Sequence, residues 1–183
     1  LVQRLDEAIS RNDPEATAQA LAPAWAQIVS GELEVPMASL YATSLGSMRL
    51  TGAAGDLAFR IGLLSDSYET VALGLAPDSA DAQARFLAAV ARGLDPVQSG
   101  SMPGDIAQAV AQAFSPLTQP PPSSRERLDQ GRLGEEMLLI LNRLGGPADP
   151  RVLAEGLTVL RLLGLEDIAR RTALESLLLD RRG

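Results

Sequence analysis

The sequence predicts an all-α protein built as an array of helical hairpins, with an irregular helical bundle as the alternative. Three observations point there. Hydrophobic residues make up 46% of the chain and aromatics only 3%, so any core must be made of Leu, Ala, Val and Ile, the usual material of helix-on-helix packing. Alanine and leucine head the helix-propensity scale, while alternating runs of Val, Ile, Thr, Tyr or Phe that would mark strands are missing. Apolar residues also recur at the helical period between regularly placed prolines and glycines. A chain of 183 residues suffices for one good core or two small ones without metals or disulfides.

The elements follow in order. Val2 to Ser10 reads as a short helix. Asp13-Pro14-Glu15 opens the next, with Asp13 as cap, Pro14 in the first turn and Glu15 at the positive end of the dipole. That helix runs toward Gly31, bent or divided at Pro23. After Pro36, the small-residue segment Met37 to Gly55 places Leu40, Ser44, Ser47 and Thr51 at helical spacing and predicts a helix that its neighbours approach closely. Asp56 is expected to cap a helix bearing Leu57, Ile61 and Leu64 and an Asp56–Arg60 pair, and a second helical stretch covers Tyr68 to Leu73 before Gly74.

Ser79 is the expected cap of a helix with Ala82, Phe86, Ala89, Val90 and Gly93 on one face. Residues 94–104 are irregular, and a helix follows over about 105–114. The Pro/Ser-rich segment 115–124 reads as an extended, exposed, mobile linker. It divides the chain into a helical region 1–114 and C-terminal hairpins 125–183, expected to pack together as one domain. Beyond it, Leu133, Met137, Ile140, Leu141 and Leu144 form an amphipathic stripe ended at Gly145-Gly146-Pro147. Asp149-Pro150 opens a helix with Leu153, Leu157, Leu160 and Leu163 inward, and Leu165 to Arg182 forms the last.

Three segments share one grammar of proline, cap, Ala/Leu-rich helix and glycine: Pro14 to Gly31, Pro77 to Gly93, and Pro147 to Gly164. The intervals between their prolines are each about twice a two-helix repeat of roughly 34 residues. In this, and in Gly164-Leu165-Glu166-Asp167-Ile168-Ala169 as a turn into a repeat's second helix, the chain resembles the tetratricopeptide-type α-solenoids. The resemblance implies stacked helical hairpins. The aromatic and Leu-Gly positions of that consensus do not fall in register, so no family residue carries over.

Function is narrowed first by exclusion. The chain has no histidine, cysteine or lysine, the side chains that supply most general bases, thiolates, Schiff-base amines and zinc ligands. A serine nucleophile would lack its usual base, and Gly100-Ser101-Met102-Pro103-Gly104 has the wrong spacing for a nucleophile elbow. Carboxylate pairs remain: Glu32 with Glu34, Asp66 with Glu69 around Tyr68, and Glu135 with Glu136, the last read as a solvated surface near Arg132. No catalytic residue, metal ligand or cofactor is assigned, and the expectation is a protein that is not an enzyme. Trp25, Phe59, Phe86 and Phe114 read as core.

Tyr41, Arg49, Arg60 and Tyr68 are the candidate binding residues, because they fall where small residues leave room for a groove and because Tyr and Arg are favoured at binding hot spots. The leading expectation is a non-catalytic scaffold binding a protein or peptide, or other domains of a parent polypeptide. The alternative is an enzyme or small-ligand domain using only carboxylates, Arg and Tyr. With a net charge of −7, nucleic acid is not an expected partner; the short basic runs Arg125-Glu126-Arg127 with Arg132, Arg170-Arg171 and Arg181-Arg182 read as solvated helix surface. No window supplies the roughly 18 uncharged apolar residues needed to span a bilayer. Lack of cysteine fits a cytoplasmic or a periplasmic or secreted setting equally. A start at Leu1 inside a helical turn reads as a fragment or processed chain with further sequence upstream.

Overall fold

A computed structural model describes residues 1–75, 79–145 and 149–179. Their regular structure is helical: α1 Val2–Ser10, α2 Pro14–Ser30, α3 Glu34–Ser47, α4 Gly52–Leu63, α5 Tyr68–Leu73, α6 Ala82–Ala91, a short 3-10 turn Pro96–Gln98, α7 Asp105–Phe114, α8 Pro122–Asp129, α9 Leu133–Leu144, α10 Pro150–Leu162 and α11 Glu166–Leu178. The chain divides into two compact units, Leu1–Ala76 and Pro77–Gly183. The turn residues Pro77 and Pro147 and the pair Arg181-Arg182 lie outside the described residues.

The hairpins share one connector. α1–α2, α2–α3, α8–α9 and α10–α11 are each joined by three residues, and the middle one is left-handed: Asn12, Glu32, Gly131 and Gly164, with φ of 51°, 54°, 73° and 75°. In each, the following amide reaches back to the helix it has left, as Asp13 N to Ala8 O at 3.1 Å, Leu33 N to Ile28 O at 3.2 Å, Arg132 N to Arg127 O at 2.9 Å and Leu165 N to Leu160 O at 3.0 Å. These are Schellman closures, which occupy the carbonyls a helix end leaves unpaired. Gly31, expected to end α2, keeps φ at −99°, and Glu32 takes the strained position beside it.

Starts follow the cap rules. Asp13 accepts from the amides of Glu15 and Ala16 at 3.1 and 3.0 Å, and Asp149 from Arg151 and Val152 at 2.8 and 3.4 Å. At α6 the cap is Asp81, accepting from Gln83 and Ala84 at 2.8 and 3.1 Å, while Ser79 accepts from the Asp81 amide. A carboxylate suits that place better than the predicted serine because its charge also meets the helix dipole.

In the first unit α2 packs on α1, α3 and α4, and α4 on α3 and α5, around Leu5, Leu21, Ile28, Leu45, Ile61 and Tyr68. α2 runs unbroken through Pro23. The single helix expected over Met37 to Gly55 is two, because the chain turns at Arg49, whose φ is 50°. Gly55 permits the restart: a β-carbon there would stand 2.5 Å from the Leu50 carbonyl oxygen. Asp56 therefore lies inside α4 and is not its cap, and α3 buries Ala38, Ala42 and Leu45 while Leu40, Ser47 and Thr51 face outward.

In the second unit α10 is the hub, touching α7, α9 and α11, while α11 also packs on α6 and α7. Of the four leucines expected inward, Leu153, Leu157 and Leu160 are buried, joined by Ala154 and Val159, while Leu163 is half-buried. Residues 115–124 lie within this unit and not at its edge. They do not stay extended and exposed: Pro120 and Ser124 are buried and α8 starts at Pro122. The stripe predicted on α9 is also turned. Ile140 is buried, Met137 and Leu144 are half-buried, and Leu133 and Leu141 are exposed.

Candidate functional site

The four residues singled out in the sequence all fall in the first unit but differ in kind. Tyr68, the first residue of α5, is 2% exposed, so its ring is core. Tyr41 on α3 is half-buried; burial, and then the charge of Asp6 on α1, raise its phenol above the ordinary value. Arg49 sits at the left-handed turn before α4 and Arg60 in the last turn of α4, both exposed. None of the four lines either of the two larger grooves described below.

One groove, of about 390 Å³, runs between α1 and α2. The α1–α2 hairpin makes it: Ala8, Ala16 and Ala20 form a floor without bulk, and Arg4, Glu7, Arg11 and Asp13 give it a charged rim. Arg11 and Glu7 approach to 4.0 Å along α1, an exposed pair that adds little stability. Gln19 and Pro23 complete the far wall. Pro23 has no N–H, so the Gln19 carbonyl lacks the donor four residues on that a helix normally provides. The sequence held this signal in Pro23, an interior proline among alanines.

A second groove, of about 480 Å³, lies beside α8 and is lined by Gln119, Pro120, Pro122, Arg125, Glu126 and Asp129, among others. Arg125 donates to Gln119 Oε1 at 2.5 Å across its edge. The residues of the Pro/Ser segment thus shape a concave surface.

The polar chemistry of the second unit is turned inward. Glu136 is 2% exposed, contrary to its reading as solvated surface. It accepts hydrogen bonds from Arg127 Nε and from Ser124 on α8. Burial by itself would raise its pKa, but the bonds from Arg127 and Ser124, with the charges of Arg127 and Arg143, outweigh burial and hold the carboxyl below its ordinary value. Glu135, one residue earlier, stays on the surface with Arg132 Nε at 2.7 Å. Arg127, read as a solvated helix charge, is thus the partner that lets a carboxylate be buried. On the facing side Arg143 and Arg151 converge on Glu155 at 2.7 and 3.2 Å.

Two more arginines close helix C-termini, where carbonyls lack partners. Arg161 of α10 donates to the Ala113 carbonyl at the end of α7 at 2.9 Å, pairs with Glu166 at 3.0 Å, and lies 4.4 Å from the Phe114 ring centroid. Arg170 of α11 donates to the Ala91 carbonyl at the end of α6 at 3.2 Å. Such contacts hold one helix to the next.

The described residues contain no helix long and apolar enough to cross a membrane. Comparison with known proteins finds no matching family model, no matching curated protein and no matching solved structure.

Proposed function

We propose that the chain is a non-catalytic helical scaffold that holds a peptide or protein segment in the α1–α2 groove. The observation that carries this reading is the groove itself, with its alanine floor, its charged rim and the far wall of Gln19 and Pro23. A floor of small side chains admits another backbone closely. The rim charges would set the segment's orientation more than its affinity.

The polar groups of the second unit agree with this division of labour. Glu136, Arg127, Arg161 and Arg170 bond helix to helix, which is structural duty, and Glu136 is held ionised by its neighbours, unlike a general acid with a raised pKa. The α10–α11 hairpin, two helices of 13 residues around a three-residue connector, has the proportions of a tetratricopeptide-like repeat, and such arrays present extended binding surfaces.

Peptides selected by display on the whole chain test the proposal. They are expected to lose about tenfold or more in affinity on the Ala20→Arg variant, which fills the groove floor while keeping a good helix former. Peptides that bind both forms equally, or a bound small molecule with no selectable peptide, contradict it.

A further inference from the structure

We propose that α9 pairs with α9 of a second copy of this chain, antiparallel, through a seam of Gly134, Leu138, Leu141 and Gly145. This surface lies in the second unit and does not depend on the α1–α2 groove.

α9 turns Glu136 and Ile140 into its own unit. The helical period puts the four seam residues on the opposite side at spacings of four, three and four, the alternation of a coiled-coil seam. That side is open: Leu138 is 70% and Leu141 55% exposed, and a β-carbon at Gly134 would meet nothing within 4 Å. Leu138 and Leu141 of the two copies would fill the middle of the seam, and the glycines place no side chain in the way at its ends.

The seam is self-complementary, which selects a second copy as its occupant. A two-fold axis between Leu139 and Ile140 sets Leu138 against Leu141 of the other copy, and Gly134 against its Gly145, reciprocally, as a closed two-fold interface requires. On one flank Glu135 lies about 3 Å along the axis from Asn142 of the other copy, an acceptor near an amide donor; on the other, Met137 is offset by the same amount from Leu144. Charge points the same way. A chain of net charge −7 repels its own copies over most of its surface, but here Asn142 is neutral and Glu135 is matched by Arg132. A parallel pairing would align the helix dipoles unfavourably.

The chain has no cysteine, so engineered thiols report the register cleanly. Under mild oxidation, Gly134→Cys mixed with Gly145→Cys is expected to give a disulfide-linked pair, while neither variant links to itself. Wild type is expected to sediment as a concentration-dependent dimer, with Leu138→Glu raising the dimer Kd about tenfold or more at unchanged helical circular dichroism. No link in the mixture, self-linking of either single variant, a wild type monomeric at every concentration, or a Leu138→Glu chain that dimerises as wild type does would overturn the proposal.

Discussion

The first unit carries nine carboxylates against four arginines and the second fourteen against twelve, and they close the same three-residue hairpin turn with different residues. In the first, the left-handed positions of these turns are held by Asn12 and Glu32, and at the entry to α4 by Arg49 together with Gly52; in the second they are glycines. Side chains pay an energetic penalty in that conformation that glycine does not, so the first unit stores strain in its turns. The second relaxes its turns and puts its arginines between helices, at Glu136, Ala113 and Ala91. One backbone architecture is thus held by two chemistries, which should fail under different insults.

The largest expected effect is at the closest backbone approach. A β-carbon at Gly100 would stand 2.1 Å from the Ala82 carbonyl oxygen and 2.6 Å from the Phe86 nitrogen, where the loop is tied down by Ser101 N to Ala82 O at 3.1 Å and by Arg85 Nε to Ser99 O at 2.7 Å. Gly100→Ala should lift the loop from α6 and destabilise the second unit by about 3 kcal/mol, read by urea unfolding. Gly55→Ala, the matching tight spot of the first unit, should do less, since its obstacle is a single carbonyl oxygen at 2.5 Å. Equal losses at both would erase that contrast.

Next comes the buried ion pair. Glu136→Ala removes the carboxylate that answers Arg127 and should destabilise by about 3 kcal/mol, the low end for a broken buried pair because Arg127 keeps some contact with water. Acid sharpens the comparison. The folded-state pKa of Glu136 is lowered, so its contribution is present above the ordinary glutamate range and lost as pH falls through that range to the depressed value. Glu136→Gln should flatten the acid dependence of the thermal midpoint; an unchanged dependence would mean the pair does not support the fold.

Smallest are the turns, and their signs should oppose. Gly164→Ala forces a β-carbon into a left-handed turn at a φ of 75° and should destabilise by about 1 kcal/mol. Glu32→Gly and Arg49→Gly relieve that strain but add freedom to the unfolded chain, leaving a gain of about 0.5 kcal/mol. Asn12→Gly should change little, because asparagine tolerates this conformation.

The sequence made most helices legible because caps and periodicity are local. Asp13-Pro14 and Asp149-Pro150 open helices at the expected places, and Gly164, expected to end α10, does so in a left-handed turn. What it missed depends on partners distant in the chain. The stripe expected on α9 left out Leu138 and Leu139 and took Glu136 for surface; the helix is oriented instead by Arg127 and Ser124 reaching Glu136 from α8. The linker reading of 115–124 rested on composition and could not register the burial of Pro120 and Ser124. Among the candidate binding residues, Tyr68 was needed by the core, and the α1–α2 groove arises from two helices meeting, for which Pro23 was the only local sign.

Amide chemical-shift mapping with a display-selected peptide on the whole chain tests the scaffold reading most directly. Perturbations are expected to gather on α1 and α2, centred on Ala8, Ala16 and Ala20, and to vanish in Ala20→Arg. Shifts confined to other helices, or none at saturating peptide, would contradict it.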